Sequence, residues 1–114
     1  MRATSGYQGP FQPEWLEPAR PFDILVRMLN NLRHAYMQQR RWPQAVAVIE
    51  YLHLAQPDVP QHGRDLGLAH YQNGAMHLAL HYWNTYLQQS PEAADAVPVR
   101  EAMRRLLHEW APLN

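Results

Sequence analysis

Residues 64–91 read RDLGLAHYQNGAMHLALHYWNTYLQQSP. Leu66, Ala69 and Tyr71 recur at helical spacing, and Asn73-Gly74 is a helix stop. Met76, Ala79, Leu80, Trp83, Tyr86 and Leu87 then resume a helical pattern that ends before Pro91, because the residue before a proline disfavours the helical region. The stretch is a pair of helices joined by a tight turn. Moved back by 34 residues it partly matches itself: Leu66 falls on Leu32, Ala69 on Ala35, Gln72 on Gln38, Ala79 on Ala45 and Pro91 on Pro57. Any one of these matches is cheap, but together, at one fixed offset, they specify a repeat.

A 34-residue period is that of the tetratricopeptide repeat, a helix–turn–helix unit. The first copy reads Leu29-x2-Leu32-Arg33-x2-Tyr36, then Ala45-x3-Ile49, then Pro57. The second reads Gly63-x2-Leu66-Gly67-x2-His70, then Ala79-x3-Trp83, then Pro91. Small residues (Ala35, Ala45, Gly67, Ala69, Ala79) stand where paired helices approach closely, and large ones (Tyr36, Trp42, Ile49, Trp83) fill the gaps. Arg33, Gly63 and His70 depart from the usual Gly, Trp and Tyr of this pattern, and Arg40 stands where the turn glycine normally is.

Outward from this centre, Ile24, Leu25, Met28, Leu29, Leu32, Ala35 and Tyr36 predict a first helix over about 22–39, longer at its start than a repeat helix needs. Pro43 opens a second helix carrying Ala45, Val46, Val48, Ile49, Leu52 and Leu54. Beyond Pro91, Val99, Ala102, Met103, Leu106, Leu107 and Trp110 predict a capping helix over 95–110, with Pro98 confined to its first turn and Arg100, Arg104 and Arg105 on its wet side. Asp23 with Arg27 and Glu101 with Arg105 are spaced as supporting i,i+4 pairs. No segment alternates with the period of a strand. The expected fold is all-α: two tetratricopeptide-type hairpins (about 26–59 and 60–93) plus the cap, five helices in a short right-handed superhelix spanning 22–111. Residues 1–21 form an irregular leader rich in Pro and aromatics, either docked on the domain through Phe11–Leu16 or a flexible tail.

Composition narrows the function. The 114 residues hold one small domain, ten Arg and no Lys against ten Asp+Glu, seven His and no Cys. The absent Cys removes disulfides, thiolate metal sites and a thiol nucleophile. Zero net charge argues against a nucleic-acid binder, whose affinity rests on neutralising phosphates. No stretch approaches the roughly 20 apolar residues of a spanning helix, and no apolar run follows Arg2, so no membrane partner is expected and a cytoplasmic location is.

The chain also resembles the C-terminal repeat domain of the bacterial transglutaminase-like/tetratricopeptide proteins. FDILVRMLNNLRHAYMQQRR at 22–41, with ILVRMLNNL most characteristic, Trp42, Arg64-Asp65 and the 64–91 stretch carry the likeness, which covers roughly Trp15 to Trp110. The resemblance implies an N-terminal transglutaminase-like half using a Cys with a His and an Asp. Nothing here matches that half, so the chain looks like the repeat domain standing alone: a short homologue, a split gene or a truncated copy.

In tetratricopeptide arrays the first helix of each repeat lines a concave groove for partner peptides. By register the groove positions are Arg27, Asn30, His34, Met37 and Gln38 in the first repeat, and Arg64, Leu68, Tyr71 and Gln72 in the second. Arg, Asn and Gln can bond a peptide backbone or carboxylate, and Met and Tyr add apolar contact. The alternatives are a solvated face or a groove filled by the leader. Asn30 and His34 stand where a carboxylate clamp has Lys and Asn, so that clamp is not carried. Asn30-Asn31 inside a helix predicts either a partner contact or a structural hydrogen bond.

His77 and His81 are spaced for a two-point metal grip but lack a third ligand and the Glu of an H-E-x-x-H motif. Ser5, Ser90, Glu50 and His53 fall in no catalytic motif, so neither an enzyme nor a cofactor is expected. Three functions remain: a peptide-binding module, a detached accessory domain of a transglutaminase-like hydrolase acting in trans, and a self-associating scaffold burying Leu107 and Trp110 between copies.

Overall fold

The computed structural model describes residues 20–110, apart from the side chain of Trp110. Five helices follow one another: α1 (Pro21–Gln38), α2 (Trp42–Ala55), α3 (Pro60–Gln72), α4 (Met76–Gln89) and α5 (Ala96–Trp110), with no strand among the described residues. The helices that begin α1 to α3 all carry Pro in their first two positions, where the missing N–H costs nothing. Pro98 is the third residue of α5, within its first turn.

The repeat is visible in how the helices end. At the end of α1, Arg40 N–H bonds Met37 O and Arg41 N–H bonds Tyr36 O, while Arg40 takes φ +58°. At the end of α3, Gly74 N–H bonds Tyr71 O and Ala75 N–H bonds His70 O, while Gly74 takes φ +87°. Both are the left-handed closure that satisfies the last helical carbonyls. The two are 34 residues apart, so Arg40 holds the backbone shape that a glycine holds in the second copy. The ends of α2 and α4 also correspond: Gln56 N–H reaches Leu52 O and Ser90 N–H reaches Tyr86 O, each immediately before a proline.

Each helix packs on the next along the chain. Leu29 of α1 meets Val48 and Leu52 of α2. Ala45 and Ile49 of α2 meet Leu66 and Ala69 of α3, with Met37, Tyr36 and Trp42 at the margin. Ala79, Trp83 and Tyr86 of α4 meet Val99 and Leu106 of α5. The small residues sit in these seams: Ala45, Ala69 and Ala79 are fully buried. Gly67 is the tightest point, since a Cβ there would lie 2.3 Å from Trp83 Cδ1. A side chain at 67 would therefore separate α3 from α4.

Two expected helix pairs do not form. Asp23–Arg27 and Glu101–Arg105 have the right spacing, but the ion pairs of the described residues are Arg33–Asp65, Arg64–Asp65 and Arg64–Asp95. Exposed side chains on one helix gain little from closing such a contact and lose rotamer freedom. Arg100, Arg104 and Arg105 are exposed along α5. The leader through Ala19 and the terminal residues 111–114 lie outside the described residues, as does any docking of Phe11–Leu16.

Candidate functional site

The first helix of each hairpin and the capping helix are α1, α3 and α5. One polar network ties them together. Arg33 Nη1 of α1 donates to Asp65 Oδ2 of α3 at 2.7 Å. Arg64 Nε donates to the other oxygen of the same carboxylate at 3.2 Å, and its Nη1 donates to Asp95 Oδ2 at 3.1 Å. Tyr86 of α4 donates its hydroxyl to Asp95 Oδ1, and Trp83 Nε1 donates to the Arg64 carbonyl at 3.2 Å. The Arg64 guanidinium also lies 6.0 Å from the centre of the Tyr86 ring. Two guanidiniums thus face two carboxylates, and the network is neutral.

The electrostatics follow from these partners. The Tyr86 hydroxyl bond holds the Asp95 carboxyl below its ordinary range against the opposing effect of burial, and Arg64 adds to it. Burial works against the charge on Arg64, but Asp65 and Asp95 outweigh it and raise its pKa. Burial, then the bond to Asp95, raises that of Tyr86.

Beside this network is a hollow of about 220 Å³ lined by Arg64, Asp65, Leu68, Trp83, Asp95, Pro98, Val99 and Ala102. Its polar rim is already paired and its wall is apolar, so it has room for an uncharged side chain and no free charge to offer an ionic one.

The candidate groove residues fall into three groups. Arg64 and Leu68 line the hollow together. Met37 and Tyr71 are drawn inward: Met37 packs on the α2–α3 core, and the Tyr71 ring lies 5.8 Å from that of Trp83. Arg27, His34, Gln38 and Gln72 are exposed and outside the hollow, and Asn30 donates Nδ2 to Val26 O one turn back in its own helix at 3.0 Å. The periodicity reading omits Asp65, Trp83, Tyr86, Asp95 and Arg33 from the site. A signal for them was in the sequence: Arg33 precedes Asp65 by 32 residues and Arg64 precedes Asp95 by 31, so each cation has an acid about one repeat downstream.

On the other side of α3, a second hollow of about 240 Å³ is lined by Glu50, His53, Leu54, Leu66 and Tyr82. His70 stacks on Tyr82 with ring centres 5.6 Å apart, and His53 meets the same ring edge-on. His77 and His81 are exposed, and no cluster of three or more metal-ligating side chains occurs among the described residues.

Helix hairpins stacked at a fixed period, with the first helices turned to one face, define a helical repeat protein. The tetratricopeptide repeat family matches residues 32–104, and the chain belongs to that family. It is 35% identical over 94 residues to a UPF0162 protein of Xylella fastidiosa (strain Temecula1), covering 82% of this chain and 34% of that protein. It is 27% identical over 101 residues to Protein SirB1 of Salmonella typhimurium and 25% identical over 101 residues to UPF0162 protein YchA of Escherichia coli K12, covering 89% of this chain and 38% of each. The chain therefore spans about a third of the length of the curated relatives it matches. No solved structure matches it. No helix of the described residues is long and apolar enough to cross a membrane.

Proposed function

We propose that this chain is a non-catalytic interaction module that takes a peptide segment of a protein partner on the face shared by α1, α3 and α5. The hollow between α3 and α5 carries the reading. Leu68, Trp83, Val99 and Ala102 form an apolar wall for one side chain of the partner, and the Arg64–Asp65–Asp95 rim keeps that wall in place. Exposed Gln72, Gln38 and Arg27 supply hydrogen-bond donors to the backbone where the segment continues over α3 and α1. Because the rim is neutral, an apolar anchor, and not an acidic one, sets the affinity. A wall that is already formed lowers the ordering cost of binding.

The test is a selection of displayed peptides on the intact chain, followed by calorimetry. Selected peptides are expected to share an apolar residue and to lose at least tenfold in affinity on Ala102→Trp, which fills the hollow and removes none of the ion-paired side chains. Undiminished binding to A102W, with its helical circular dichroism intact, places the peptide elsewhere.

A second reading rests on the relatives' length. With about a third of those proteins represented here and the likeness to transglutaminase-like/tetratricopeptide proteins, the module serves as an accessory domain for a hydrolase acting in trans. A co-purifying chain that carries the Cys-His-Asp half supports it. Self-association through α5, where Leu107 is exposed, is the remaining use of the surface, and light scattering decides it.

A further inference from the structure

α2 is apolar almost all round. Its sequence, WPQAVAVIEYLHLA, contains one formal charge, that of Glu50. Ala45, Val48, Ile49 and Leu52 are buried against α1 and α3. The outer side is not the polar face that a surface helix ordinarily turns to water. Pro43, Ala47, Tyr51 and Leu54 recur there at i, i+4, i+8 and i+11, and all four are exposed. Tyr51 and Leu54 are 63% and 77% exposed. A row of large apolar side chains of this kind marks a contact surface. Glu50 borders the row, one helical turn from Ala47 on one side and from Leu54 on the other.

The row runs into the hollow of about 240 Å³ lined by Glu50, His53, Leu54, Leu66 and Tyr82. That volume suits one side chain and falls below the roughly 300–1,000 Å³ of a small-molecule site. Its wall is already formed: His70 is stacked on the Tyr82 ring, and His53 and His81 meet that ring edge-on, with ring centres 5.6, 6.2 and 5.2 Å away. The polar groups of the lining are unpaired. Glu50 belongs to none of the ion pairs of the described residues, and His53 Nδ1 has no hydrogen-bond partner. The nearby His70 does not compensate the carboxylate, because burial holds its pKa below 6.5 and leaves the imidazole neutral at neutral pH. The lining therefore holds one formal charge, and it is negative.

We propose that this hollow takes an arginine side chain of a protein partner, whose apolar neighbours lie on Tyr51 and Leu54. The guanidinium donates two parallel hydrogen bonds to the Glu50 carboxylate, and its aliphatic stem lies along Leu54. Arginine suits the place better than lysine, because its planar, weakly hydrated head loses less on leaving water beside Tyr82 and Leu54. Glu50 turns an anion away, and a wholly apolar side chain covers the carboxylate without pairing it. An exposed ion pair contributes little by itself, so the apolar row supplies most of the affinity and Glu50 the choice of side chain. This surface lies across α3 from the face proposed for peptides, so the two proposals fail independently.

The probe is the peptide acetyl-Ala-Leu-Arg-Leu-Ala-amide, with a counterpart in which citrulline, a neutral isostere, replaces the arginine. Both are titrated to millimolar concentration into the isotope-labelled full chain and followed by NMR. The arginine peptide is expected to shift the amide signals of Glu50, His53, Leu54 and Tyr82. It is expected to bind about threefold more tightly than the citrulline peptide, the effect of one exposed ion pair. Glu50→Gln is expected to bring the two peptides to the same affinity. Leu54→Lys, which offers Glu50 a cation one turn away in its own helix, is expected to do the same. Equal affinities for the unaltered chain overturn the proposal, and so does a preference for arginine that survives either substitution. Shifts confined to Leu68, Val99 and Ala102, or no shifts at all, also overturn it. A dimer of the chain that sedimentation shows to dissociate on Glu50→Gln overturns it too, and assigns the hollow to an arginine of a second copy.

Discussion

Arg40 and Gly74 occupy the same turn of successive repeats with φ of +58° and +87°. A side chain in the left-handed region costs roughly 1–2 kcal/mol, and glycine's extra freedom in the unfolded chain offsets about half of that. Arg40→Gly should therefore stabilise the fold by about 0.5–1 kcal/mol, and Gly74→Ala should destabilise it by about 1 kcal/mol, as read from urea unfolding midpoints. The position of the turn was legible in the sequence, because Asn73-Gly74 is a stop signal and the 34-residue offset carries it to Arg40. The partners of single charged residues were less so. Arg64 looks like a free donor until Asp95, 31 residues on, is seen to hold it. Asp23 and Arg27 look like a pair until each is found in solvent. Helical spacing says which side chains are neighbours on one helix and nothing about which helix arrives alongside.

At the scale of the element, α5 is held by Val99 and Leu106 against α4 and by Asp95 at its start. Asp95→Asn removes the charge that meets Arg64. Charge-assisted hydrogen bonds are worth roughly 1.5–3 kcal/mol when buried. Asp95 has 36% of its side chain exposed, and the screening that follows reduces the expected loss to about 1 kcal/mol. Hydrogen exchange should show faster opening across α5 with α2 unchanged. Acid should act the same way. The Asp95 carboxyl is held below its ordinary value of 3.8, so its contribution is complete above that pH and fades as pH falls through the lower, folded value. The existence and order of all five helices were readable because apolar spacing, Pro and Asn-Gly agree on them. The tie at the start of α5 was not, since it depends on how far α4 and α5 splay, which no local pattern fixes.

For the molecule as a whole, two buried histidines set a dependence on mild acid. His62 and His70 are both buried, and His62 Nδ1 and His70 Nε2 have no hydrogen-bond partner. Desolvation lowers the pKa of each below 6.5, with Arg33 adding to the effect at His62 and His77 at His70, where Glu50 opposes it. The unfolded chain then binds protons more readily than the folded one as pH drops below 6.5. Stability should fall from pH 7 to pH 5.5, read as a drop in the urea midpoint. His62→Gln combined with His70→Phe should flatten that slope. A midpoint that is flat in the unaltered protein shows that neither imidazole is proton-poor in the fold. The sequence showed seven His and the potential for such behaviour, but not which two are enclosed.

The ion pairs between helices have a direction. Arg33 reaches forward to Asp65 and Arg64 reaches forward to Asp95, always cation first and acid about one repeat later. Within the stack each of these acids therefore lies one unit ahead of the cation it holds. The equivalent positions at the two ends carry Asn30, Asn31 and Pro98, so the charged ties stop where the stack stops. Consecutive units are in this way joined by charge as well as by the covalent chain.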